Sequence, residues 1–79
     1  MRQITDVLSA LTRGLVDRPE SVRVHERRDA DETLLELDVH PRDRGRIIGR
    51  GGETIQAMRR LIGALARKRG KRCRVEVSE

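Results

Sequence analysis

Residues 49–52 read Gly-Arg-Gly-Gly, and they interrupt a chain that has helical spacing on both sides. Three glycines in four positions admit positive φ and strip the backbone of Cβ atoms, so neither a helix nor a strand runs comfortably through them. The fold must therefore place a tight connection here. Upstream, Arg42 to Ile48 follows Pro41 and shows no strand alternation, which predicts a short helix ending at Gly49. Downstream, Ile55, Met58, Ile62 and Leu65 recur at helical spacing, and Ala57, Ala64 and Ala66 add propensity. A helix over residues 53–68 follows, with Gly70 as its stop.

The remaining elements are read in the same way. Ile4, Val7, Leu8, Leu11 and Leu15 fall on one face of an amphipathic helix over residues 3–16, and Pro19 closes the connection after it. Residues 21–28 alternate, with Val22 and Val24 on one side and Arg23 and His25 on the other, as in a strand. A polar link at 28–32 leads to a second alternating run in which Leu35, Leu37 and Val39 share a face, so the two form an antiparallel hairpin. Residues 71–77 alternate again, with Cys73, Val75 and Val77 in register. The predicted class is α+β in the order αββααβ: a three-stranded sheet with three helices packed on one face, forming a single domain over residues 1–79.

Composition narrows what such a domain can do. The chain has 79 residues and no Phe, Tyr or Trp, so its core is built from Leu, Ile, Val, Met and Ala, and a deep small-molecule cavity is not expected. Residues 1–40 carry a net charge of −3, residues 41–74 carry +10 and residues 75–79 carry −2. Basic charge segregated in this way fits a polyanion, nucleic acid foremost, although a merely solubilising surface has the same composition. Cys73 is the only cysteine and has no disulfide partner, while His25 and His40 do not have metal-ligand spacing. Neither histidine has the neighbours expected of catalysis, and Cys73 reads as a structural thiol. No stretch approaches the roughly 18 apolar residues of a membrane span, so a cytoplasmic protein without a membrane or cofactor is expected.

Three phosphate-binding patterns compete for the glycine loop. A Walker loop needs GK five residues after its first glycine, and neither Gly45 nor Gly49 supplies it. A dinucleotide fingerprint from Gly49 would place Thr54 where its third glycine belongs, and a basic run stands where an acidic residue should hold the ribose. The third pattern is a GxxG connection between two helices, Gly49, Arg50, Gly51 and Gly52. There a sugar–phosphate chain can lie against bare backbone, beside a helix N-terminus and one arginine.

In its wider setting this loop resembles the KH domain, a small module that binds single-stranded nucleic acid. The order of elements resembles its type II, bacterial form. The stretches GLVDRPESVRV, LLELDVHPRDRGRIIGRGGETI and KRGKRCRVEV together resemble the stand-alone bacterial KH proteins of the KhpA family over nearly the whole chain. That resemblance implies a cytoplasmic binder of single-stranded RNA and no enzyme. It also implies a homodimer and a heterodimer with a KhpB/Jag-type KH protein, a link to small RNAs and mRNA as a post-transcriptional regulator or RNA chaperone, and in some bacteria a link to cell shape. Gly51 stands where a basic or polar residue is common, which leaves Arg50 as the loop's only charged side chain.

Carried onto this chain, the motif implies that Gly49, Arg50, Gly51 and Gly52 clamp the RNA backbone. Ile47 and Ile48 divide between core and groove in an order the sequence leaves open. Arg46 and Arg59 flank the strand or are ordinary solvated arginines. Thr54 donates to a phosphate or supports the helix start. Ile55 belongs to the core stripe. The basic run at 67–72 either extends the cationic footprint or ends the helix with charge its dipole favours. With no aromatic ring to stack on, an aliphatic groove of this kind holds about four nucleotides in a salt-dependent way, and a protein-interaction module that dimerises around the same loop is the competing reading.

Overall fold

The computed structural model describes residues 1–79. Helix α1 (Arg2–Leu15) is followed by strands β1 (Arg23–Asp29) and β2 (Glu32–Asp38), helices α2 (Arg44–Ile48) and α3 (Glu53–Lys68), and strand β3 (Arg72–Val77). This is the expected αββααβ order. Short 3-10 turns at Pro19–Ser21, Pro41–Asp43 and Arg50–Gly52 tighten three of the connections. Each has three residues, too few to leave a periodic trace in the sequence.

Strand β2 is central. It pairs antiparallel with β1, placing Val24 opposite Leu37, and parallel with β3, placing Val75 beside Leu35. The parallel pairing follows from the connection, because α2 and α3 carry the chain back along the sheet before β3 begins. Thr33, Leu35, Leu37 and Val39 are buried on one face. There Leu35, Leu37 and Val39 join Ile4 and Leu8 of α1, Ile47 of α2, and Ile55, Met58, Ile62 and Ala66 of α3 in one core cluster. The opposite face carries ion pairs, Arg27 to Glu36 at 2.8 Å and Arg74 to Glu32 at 2.7 Å.

Two local expectations need correction. The hairpin link is shorter than residues 28–32, because both strands run on until only Ala30 and Asp31 remain between them. Ala30 has φ 56°, a value its Cβ disfavours but a tight hairpin turn demands. Ala30→Gly is therefore expected to stabilise the fold by about 0.5–1 kcal/mol, seen as a higher urea midpoint at unchanged slope. A lower midpoint would show that the turn is not strained.

The second correction concerns α1. Ile4 and Leu8 are buried, but Leu11 is half-buried and Val7 and Leu15 are exposed. The inner line is completed by Thr12, fully buried, whose hydroxyl donates to the Leu8 carbonyl at 2.7 Å. A threonine tolerates this position because the backbone of its own helix satisfies its polar atom. The apolar stripe of α1 is wider than the strip the sheet covers, so Leu11 and Leu15 turn towards α3.

Candidate nucleic-acid interface

Helix α2 stops because Gly49 takes φ 77° and ψ 172°, a conformation open almost only to glycine. The chain then makes one 3-10 turn with Gly51 and Gly52 both left-handed, at φ 61° and φ 80°, and enters α3. Most amides of this turn are bonded internally: Gly49 N–H to Gly45 O at 2.8 Å, Gly52 N–H to Gly49 O at 3.1 Å, and Glu53 N–H to Arg50 O. Arg50 and Gly51 are exposed, and the three bonds that close the turn do not use their amides. A Cβ at Gly51 or Gly52 would meet nothing within 4 Å, so these glycines leave the outer surface of the loop clear. At Gly49 the space is closed, since a Cβ would lie 2.8 Å from Thr54 Cβ and 2.9 Å from Thr54 N, and would also collide with its hydroxyl. Thr54 thus packs on the back of the loop and supports the start of α3.

The two isoleucines before the loop divide clearly. Ile47 is fully buried in the core cluster and is not a groove residue, whereas Ile48 is exposed. Successive helical side chains diverge by about 100°, so only one of an adjacent pair can point inward. Arg46 turns towards the segment between α1 and β1, where Nη1 pairs with Asp17 Oδ1 at 3.2 Å. Arg59 turns towards β3, and its Nε donates to the Val75 carbonyl at 2.9 Å.

The bond from Arg59 to Val75 defines a second wall. Strand β3 is at the edge of the sheet, and the Val75 carbonyl points away from β2. The N–H and C=O of one strand residue point the same way, so the Val75 amide also faces outward. A shallow hollow lies along this edge, lined by Arg59, Cys73, Arg74, Val75 and Glu76. Cys73 is half-buried; burial, with Glu26 and Glu32 adding to it, pushes the thiol's pKa up, so it stays protonated at neutral pH. The region thus combines an exposed glycine turn, cationic side chains and a sheet edge, a set suited to phosphates and base edges.

A residue absent from the candidates read along the chain holds this region in place. Asp43 is buried, and its carboxylate accepts the Arg18 amide at 3.1 Å and the Asp17 amide at 3.4 Å, with the Arg18 guanidinium at 3.5 Å. Asp43 precedes α2 directly, so it pins the start of the helix–loop–helix unit to the chain leaving α1. The sequence holds one signal of this: Asp43 and Glu53 are the only acids among residues 41–74. On the other flank of α3, an open apolar hollow lies against α1, with Leu11, Leu15, Ala57 and Leu61 on its walls and Gly51 and Thr54 at its mouth.

Comparison with known proteins agrees with this geometry. A family model described as the KH domain of KhpA/KhpB matches residues 5–77. Among curated proteins, the RNA-binding protein KhpA of Leifsonia xyli is 42% identical over 74 residues, covering 94% of this chain and 95% of that protein. The protein of the same name from Halalkalibacterium halodurans is 42% identical over 64 residues, covering 81% of this chain and 84% of its own. That from Mycobacterium tuberculosis is 39% identical over 74 residues, covering 94% and 89%. The fold also superposes on part of a crystal structure of Aquifex aeolicus Era with a TM-score of 0.65 at 17% identity, covering 95% of this chain and 29% of that one. With its element order, its glycine loop and a match of this extent, the chain belongs to the KhpA/KhpB KH-domain family.

Proposed function

We propose that this protein is an RNA-binding module that takes single-stranded RNA between the glycine loop and the edge of β3. The observation that carries this reading is the exposed turn at Arg50 and Gly51, cleared of side chains on its outer surface at Gly51 and Gly52. Arg50 pairs with a phosphate while the backbone of Gly49–Gly52 lies against the sugar–phosphate chain. Ile48 supplies aliphatic contact. Arg59 stands over the β3 edge, beside the hollow it lines with Cys73, Arg74 and Glu76. Arg46 exchanges Asp17 for a phosphate at little cost, since an exposed ion pair is worth only about 0–1 kcal/mol. Ile47 and Thr54 support the loop from behind. The curated relatives are named RNA-binding proteins, and no helix of this chain is long and apolar enough to cross a membrane. The module works by binding, in the cytoplasm, as a post-transcriptional regulator or RNA chaperone.

A second reading draws on the apolar hollow between α1 and α3, flanked by Leu15 and Leu61, which are 39% and 44% exposed. Such a surface suits a second copy of this chain or a KhpB/Jag-type KH protein, and two joined grooves would raise the avidity for one RNA. One double variant separates the readings, because Gly51 borders both surfaces. Arg50→Asp with Gly51→Asp places two negative charges on the loop, and aspartate tolerates the left-handed backbone at position 51 better than most residues. RNA affinity is expected to fall at least about tenfold. In the wild type, log affinity is expected to decline with log salt by about 0.7 per phosphate neutralised. If RNA binding survives the double change while self-association is lost, the interaction reading takes over.

A further inference from the structure

Of the 18 cations of this chain four are in ion pairs, and five of the unpaired ones are crowded into residues 67–72. Arg18, Arg27, Arg46 and Arg74 each lie against a carboxylate. Arg67, Lys68, Arg69, Lys71 and Arg72 are all exposed, and none is in an ion pair. No acidic residue occurs between Glu53 and Glu76. The hairpin tip brings Asp29, Asp31 and Glu32 to the same end of the molecule, beside Lys71 and Arg72; Glu32 is held by Arg74 at 2.7 Å, and neither aspartate is in an ion pair with the cluster. Favourable charge at a helix C-terminus accounts for Arg67 and Lys68 in the last turn of α3. It does not account for Lys71 and Arg72, which lie beyond the helix.

One member of the cluster, Arg67, is also aligned with the groove. Arg59, Gly63 and Arg67 follow at intervals of four residues, so they lie on one face of α3 on successive turns. Arg59 is the member that reaches the β3 edge. Gly63 has no side chain, and Arg67 Nη1 lies 3.5 Å from where a Cβ at 63 would stand, so Arg67 folds back over the bare position towards the groove. A cationic track therefore leads from the glycine loop past Arg59 to the far end of α3, about 22 Å on at 1.5 Å per residue.

We infer that RNA leaving the groove continues along this track, and that Arg67, Lys68, Arg69, Lys71 and Arg72 form a second station that binds its phosphates. The inference rests on the RNA-binding reading and deepens it: the ligand is a strand longer than the about four nucleotides that such a groove holds. With no aromatic side chain to stack bases, the station touches backbone only and is indifferent to sequence.

The test compares wild-type protein with a variant carrying Arg67→Gln, Lys68→Gln, Arg69→Gln, Lys71→Gln and Arg72→Gln, using oligouridylates of about four and about twelve nucleotides. Longer strands gain affinity from extra binding registers alone, and that part survives in the variant, so the readout is the ratio of variant to wild type at each length. Long-strand affinity is expected to fall about tenfold or more at low salt, with its salt slope shallower by about 0.7 for each phosphate the variant no longer neutralises. Short-strand affinity is expected to stay within about twofold, because the groove is untouched. An unchanged long-strand affinity overturns the second station, as does an equal loss at both lengths. If wild-type protein binds neither strand, the groove reading falls first and takes this one with it.

Discussion

Gly49→Ala is expected to destabilise the protein by about 3–5 kcal/mol, the largest effect of any single substitution in the loop. Two contributions combine. The φ of 77° and ψ of 172° at Gly49 lie in a region that carries about 1–3 kcal/mol of strain for a residue with a side chain. The new Cβ would also lie 2.8 Å and 2.9 Å from Thr54 Cβ and N, atoms of a helix start that cannot swing aside, and such overpacking typically adds about 1–3 kcal/mol. A chain of 79 residues has only about 4–12 kcal/mol of total stability, so urea unfolding should begin at much lower denaturant. Gly51→Ala provides the contrast. Position 51 is left-handed, with nothing within 4 Å of a Cβ, so its cost should be only about 1–2 kcal/mol. Equal midpoints for the two variants would mean that Gly49 is not wedged against Thr54.

Asp43→Ala should destabilise by about 3 kcal/mol, as expected when one side of a buried charged pair is removed. The Asp17 and Arg18 amides lose their acceptor, and the Arg18 guanidinium loses its partner. The arginine is one-third exposed and recovers part of its solvation; the amides, held where the chain turns from α1 towards β1, recover less. Asp43→Asn retains one carbonyl acceptor and should lose roughly half as much. The readout goes beyond stability. Asp43 ties the start of α2 to the exit of α1, and Asp17, whose amide it holds, pairs through its side chain with Arg46. Amide hydrogen exchange in α2 and the glycine loop should therefore rise more than exchange in β1 and β2. Uniform loosening would show that Asp43 contributes stability without orienting the loop.

Much of the candidate site is legible along the chain because glycine acts locally. Three glycines break the helix wherever they occur, and the segments on either side carry their own 3.6-residue period. The two isoleucines show the limit of that reading. Both are apolar and both suit α2, but the roll of a five-residue helix about its axis decides which is buried, and so short a helix carries too little pattern to set it. Helix α1 shows the converse: its apolar stripe is long and clear, yet the sheet covers only the line through Ile4, Leu8 and Thr12. Arg46 and Arg59 are equivalent as sequence. They differ because Asp17 lies beside one and the Val75 carbonyl beside the other.

Local preference set the succession of helices and strands, the break at residues 49–52 and the segregation of positive charge, since each depends on residues within a turn or two of one another. Assembly decided the parallel placement of β3, the burial of Ile47, the anchoring of the α1 exit by Asp43 and the docking of Arg59 on the Val75 carbonyl. Those features join residues separated by 16 to 40 positions. Their partners are selected by which faces can exclude water together, a choice that no short window of the chain contains.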